Sequence, residues 1–215
     1  MKLEELKLKM GKLLVFDKET IRNFENRKDI LDANIKYWLK KEELIALKKG
    51  IYVFNDRYQR ENDKSIYLEY LSNQLIKPSY LSVEYVLAKY QLLSEPVNAL
   101  TAVTVKTTRE IINSLGVFRY YSITPSLFLG YTVKYFNSNP ILEATKEKAL
   151  FDFLYFRFLK TKNVSEVEVE NLRINWESLS KKEFLKVKSY ATSLKSSKVK
   201  NVLKLIEKMY YEGNT

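Results

Sequence analysis

Ile30, Leu31, Ile35, Trp38 and Leu39 recur at the helical period along Lys28–Glu42, and a hairpin-like segment, LIALKKGIYVF, follows directly. Within it Leu44–Leu47 and Ile51–Phe54 are strand-like, and Lys48-Lys49-Gly50 is the turn, where Gly50 is free to take positive φ. Upstream, Leu3, Leu6, Met10 and Leu13 are helically spaced over Leu3–Leu13. Between these stretches VFDKETIRNFEN offers Asp17 as an N-cap, with Thr20, Ile21 and Phe24 beyond it. Three short helices and a hairpin, over residues 1–58, follow the order of a winged helix-turn-helix, whose recognition helix lies in the major groove.

The rest, residues 59–215, reads as a mixed α/β domain with a helical C-terminus, so the chain as a whole is α+β. Helices are expected over Lys64–Leu75 and Ser82–Tyr90, the latter entered through a PSYLS turn with Ser82 as N-cap. Ala99–Lys106 is β-branched and strand-like, Arg109–Leu115 suits a short helix, and Phe118–Ile123 and Phe128–Phe136 suit strands. Ala144–Leu159, Trp176–Tyr190 and Lys195–Tyr211 are expected to be helical, with a frayed EGNT end.

Neither cysteine nor histidine occurs among the 215 residues. Disulfides are thereby excluded, and so are Ser-His-Asp and Cys-His catalysis and the usual zinc ligands. The charged N-terminus has no apolar run like that of a signal peptide, and no stretch has the length and apolarity of a membrane span, so a cytoplasmic protein without a membrane partner is expected.

The formal net charge is +11 and it is unevenly spread. Residues 1–60 carry 15 basic and 10 acidic groups, residues 61–140 carry 7 and 6, and residues 141–215 carry 15 and 10. Two basic ends flanking a near-neutral middle suit an anionic partner such as nucleic acid. On the third helix the candidate DNA contacts are Asn34, Lys36, Tyr37, Lys40 and Lys41, with Arg27 and Lys28 at its start and Lys48 and Lys49 at the hairpin tip. Asp29, Asp32, Glu42 and Glu43 flank the same helix, and the face they occupy decides whether phosphate is tolerated. A second basic surface is expected from Lys181, Lys182, Lys186, Lys188, Lys195, Lys198 and Lys200.

Three segments give the chain a resemblance to a known family. They are LIALKKGIYVF with Gly50 and Tyr52, PSYLSVEYVLAKYQLL at 78–93 followed by Ala102-Val103-Thr104, and ATKEKALFDFLYF at 144–156. In order and spacing they resemble AbiEi-type antitoxins, the transcriptional regulators of viral defence systems, across residues 15–160. The match departs at Lys49, where the family often has arginine, and at Glu84-Tyr85-Val86-Leu87; the Lys-rich helices of 181–208 match no family motif. The resemblance implies a repressor of its own operon that binds promoter DNA. It also implies an antitoxin that counteracts a nucleotidyltransferase-like toxin without a stable complex, as in type IV toxin–antitoxin systems.

Other motifs point away from catalysis. Lys148 and Asp152 are spaced to pair on one helical face, with Glu147 on another side, a structural pairing bridging to a neighbouring sheet. The serines of PSYLS have no histidine base, and no tight acidic pair with a Gly-rich loop suggests magnesium-dependent nucleotidyl transfer, so neither an enzyme nor a cofactor is expected. Tyr120, Tyr121, Tyr131 and Tyr135 fall on strands, where core packing competes with base stacking. A protein-interaction module that uses the same helices and the basic C-terminus, without DNA, is the alternative reading.

Overall fold

In the computed structural model, which describes residues 2–212 apart from 162, 163, 193, 195 and 196, two packed clusters organise an α+β chain. The first helix, α1 (Leu3–Met10), buries Leu6 and Met10 one turn apart. It stops earlier than the periodicity suggests. The Gly11 N–H donates to the Lys7 carbonyl at 2.7 Å, and the following turn leaves Leu13 at 41% exposure while burying Leu14. A two-residue strand, β1 (Phe16–Asp17), is too short to announce itself by alternation. Asp17 then caps α2 (Lys18–Arg22) as expected, accepting from the Thr20 N–H at 2.8 Å and its hydroxyl at 2.7 Å.

The third helix, α3 (Lys28–Lys40), buries Leu31, Ile35 and Trp38. Its end falls two residues short of Glu42, which adopts a left-handed φ of 55°. The hairpin β2 (Leu44–Lys48) and β3 (Ile51–Phe54) follows, with Gly50 at φ 79° in its turn. The three strands form an antiparallel sheet in the order β1-β3-β2.

Both faces of this small sheet are covered. Phe16, Leu44, Tyr52 and Phe54 join α1, α2 and α3 in one cluster, whereas Leu47 and Val53 point the other way into the larger cluster. Three hydrogen bonds fasten that second face. The Asn113 amide donates to the Leu47 carbonyl at 2.9 Å, the Lys48 ammonium donates to the Leu75 carbonyl, and the Tyr67 hydroxyl donates to the Leu14 carbonyl.

An unanticipated helix, α4 (Asn55–Arg60), connects to α5 (Lys64–Leu75), where Asp63 caps by accepting from the Ile66 N–H at 3.1 Å. A six-stranded sheet then builds up from β4 (Ser79–Leu81), β5 (Ala99–Thr104), β6 (Arg109–Asn113), β7 (Gly116–Ser122), β8 (Tyr131–Phe136) and β9 (Asn139–Ala144). Its order is β6-β7-β5-β4-β9-β8; the β5–β7 and β4–β9 pairs are parallel and the rest antiparallel. The short helix α6 (Val83–Lys89) follows β4, and α7 (Lys146–Phe158) follows β9. The chain closes with α8 (Glu166–Glu170), a 3-10 turn at Trp176–Ser178, α9 (Lys181–Tyr190) and α10 (Ser197–Tyr210).

Five expectations are corrected. Ser79–Leu81 is a fully buried interior strand and not merely a turn into a helix. The Ser82 hydroxyl does not cap α6; it donates to Asp152 on α7 at 2.8 Å. Arg109–Asn113 is an edge strand, because pairing with β7, Ile111 opposite Phe118, outweighs a weak local helical pattern. Trp176–Tyr190 is interrupted at Leu179-Ser180, where Ser180 opens α9 with a reciprocal capping box to Glu183. The segment before α7, read as helical from Ala144, contributes β9, joined to β8 through Asn137 and Ser138, both left-handed at φ 46° and 63°.

Glu183 also carries an acid-sensitive contact. The Lys146 ammonium, 2.6 Å away, and the Ser180 hydroxyl and N–H lower its carboxyl from 4.5 to about 2. A depressed folded-state value stabilises the native state fully above 4.5, and that contribution fades as pH falls toward 2. Urea midpoints of Glu183→Gln are therefore expected to fall less steeply than the parent's across that window, while lying below the parent's at neutral pH.

Candidate nucleic-acid interface

The outer side of α3 is set by what its inner side buries. With Leu31, Ile35 and Trp38 inward, the helical period turns Lys36, Tyr37 and Lys40 to solvent, Tyr37 at 57% exposure. Lys28 and Lys41 are exposed as well, and the Lys41 ammonium lies 5.9 Å from the centre of the Tyr37 ring. Among the described residues none of Lys28, Lys36, Lys40, Lys41 and Lys49 is held in an ion pair, so their charge is available to a partner.

The acids around this face are only partly offset. Asp32 is bridged by Lys18 of α2, and Glu43 by Lys7 of α1 at 2.7 Å. Asp29 remains exposed, on the same side as Lys36 and Lys40 but two and three turns earlier. Glu42 is exposed beyond the helix end.

The structure does not bring every expected contact to one surface. Asn34 is half-buried on the flank beside the core stripe, because it sits one turn from both Leu31 and Trp38. Arg27 is exposed but engaged by Glu25 at 3.1 Å. Lys48 does not project from a hairpin tip. It is half-buried against Leu75, where burial first, and then the nearby Arg109 and Lys106, push its ammonium below the ordinary lysine range. Lys106 and Arg109 thus belong to the basic surroundings of the hairpin, a neighbourhood hidden from sequence reading by the sixty residues of chain between them.

The second basic surface is neutralised at two of its lysines among the described residues. Lys186 pairs with Glu147 at 3.2 Å, Lys188 pairs with Glu207 and Lys200 donates to the Thr192 carbonyl at 3.4 Å. Lys198 also has a partner. Lys181 and Lys182 are exposed at the start of α9, and Lys195 lies outside the described residues.

Three of the four strand tyrosines pack against other groups and the fourth is exposed. Tyr120 is buried and donates to the Ser72 carbonyl at 2.7 Å, Tyr131 stacks on Tyr80 and Tyr121 on Phe156, and Tyr135 stands 68% exposed on the edge strand β8.

No family model and no curated protein matches this chain. Among the described residues no helix is long and apolar enough to cross a membrane.

Proposed function

We propose that the protein is a DNA-binding transcriptional repressor whose residues 1–58 form a winged helix-turn-helix, with residues 59–215 as an antitoxin-type α/β domain. The observation that carries this reading is the outer side of α3, where Lys36, Tyr37 and Lys40 are exposed without ion pairs among the described residues while Lys18 and Lys7 offset Asp32 and Glu43. The element order α1-β1-α2-α3-β2-β3, closed by a small antiparallel sheet, supports it. The antitoxin role, counteracting a nucleotidyltransferase-like toxin and regulating its own operon, rests on the resemblance of the three segments to AbiEi-type proteins.

Fluorescence anisotropy with a duplex from the upstream promoter tests the proposal. Binding at about 100 mM salt is expected, and Lys36→Ala/Lys40→Ala is expected to reduce the log–log salt slope by about 2, one phosphate contact per lysine. Salt-insensitive binding, or a double variant that binds like the parent, speaks for the rival reading as a protein-interaction module. The exposed Asp29 on the same side of α3 as the lysines and the docked position of Lys48 favour that rival.

A further inference from the structure

A separate cleft lies on the large sheet. Strands β5 and β7 run parallel, with Ala99 opposite Val117 and Thr101 opposite Arg119. Alternation turns Phe118 and Tyr120 to one face, where they are buried, and Val117, Arg119 and Tyr121 to the other. That second face is walled by Phe153, Phe156 and Arg157 of α7 on one side and by residues 95–98 on another, enclosing about 720 Å³. This volume falls in the range of small-molecule sites.

The chemistry converging there is specific. Tyr121 and Phe156 stack at 5.1 Å and 27°, giving the cleft an aromatic wall. Arg119 lines it while paired with Glu110 at 2.5 Å, and Arg157 lines it without an ion pair among the described residues. Glu84 enters from the first turn of α6. One of its carboxylate oxygens is buried and accepts no hydrogen bond, and burial raises its carboxyl above the usual range. An orphaned buried acceptor of this kind calls for a partner. The terminal torsion of glutamate is soft, so either oxygen can be presented to the cleft. Val83, immediately before it, also lines the cleft and is held at φ 61°, a strained conformation for a β-branched residue.

We propose that this cleft binds a mononucleotide with an amino-bearing base, the base edge donating to Glu84 and the phosphate meeting Arg157 and Arg119. A flat ring suits the Tyr121–Phe156 wall. The exocyclic amino group supplies the donor that Glu84 lacks, and two guanidinium groups match phosphate oxygens. The site is independent of the DNA reading, since none of its residues belongs to α3.

Titration calorimetry with GMP, AMP and CMP, and with ribose 5-phosphate as the baseless control, tests it. At least one nucleotide is expected to bind with sub-millimolar affinity. Arg157→Ala should weaken it about tenfold, 1.4 kcal/mol, without shifting the unfolding midpoint, because the guanidinium is exposed. Glu84→Gln should weaken the nucleotide but not ribose 5-phosphate, and Lys36→Ala/Lys40→Ala should leave both unchanged. The proposal is overturned if no nucleotide binds at millimolar concentration, or if Arg157→Ala and Glu84→Gln bind like the parent. Loss of binding in the α3 variant overturns it too, by assigning the nucleotide to the proposed DNA face.

Discussion

Asp152→Ala is expected to cost about 3–5 kcal/mol, the range for breaking a buried ion pair from one side. Asp152 and Lys148 are both fully buried and in direct contact along α7. The carboxylate also accepts from the Tyr80 hydroxyl at 3.0 Å and the Ser82 hydroxyl at 2.8 Å, so it ties α7 to β4 and to the start of α6. Burial pushes the carboxyl up and the ammonium down, and each charge opposes the other's shift. Without the carboxylate, the Lys148 ammonium would be left among the rings of Tyr80, Phe151 and Tyr190, whose centres lie 4.9 to 5.6 Å away. Those rings offer some compensation, but no hydrogen-bond acceptor equivalent to a carboxylate. Lys148→Met/Asp152→Leu should therefore cost much less than the two single changes added together, because it removes both charges at once. Urea unfolding of the two single variants and the double variant measures this coupling. A loss of under about 1 kcal/mol for Asp152→Ala would mean that the pair behaves like an exposed bridge and holds nothing together.

Trp38→Ala is the second large effect, about 3–5 kcal/mol for emptying an aromatic site in a core. Trp38 is 4% exposed and belongs to a cluster of ten buried residues among those described, so little surrounding material can relax into the space. The loss is expected to lower one shared unfolding transition rather than split off a separate one. The reason is that β2 and β3 supply Leu44, Tyr52 and Phe54 to that cluster and Leu47 and Val53 to the larger one. Coincident transitions by tryptophan fluorescence and far-ultraviolet circular dichroism are the measurement. An early transition confined to α1, α2 and α3 would show that the docking of the hairpin contributes little energy.

Local signals carried as far as local forces decide the structure. Trp38, Ile35 and Leu31 advertise α3, Gly50 marks the hairpin turn, and Asp17 caps α2 where its side chain predicts. Sequence reading fails where partners far along the chain decide. PSYLS has turn chemistry, yet its buried Ser79–Leu81 gains two strand neighbours, and Arg109–Asn113 becomes a strand because Gly116–Ser122 pairs with it. The candidate site follows the same division. Lys36, Tyr37 and Lys40 are exposed by helical period alone, which needs no knowledge of the rest of the fold. The docking of Lys48 on Leu75 and the pairing of Asp32 with Lys18 depend on tertiary approach, which charge counting does not reveal.

The two-sided burial of the small sheet also bears on how portable the N-terminal unit is. Cutting the chain after residue 58 would uncover Leu14, Leu47 and Val53, which are 7%, 1% and 0% exposed in the whole protein. A fragment prepared that way would carry an adhesive apolar strip on the sheet face opposite its proposed reading helix. Transplanting this unit onto another effector would require either a replacement cover for the hairpin or polar substitutions at those three positions. It is less a detachable head than one half of a shared joint.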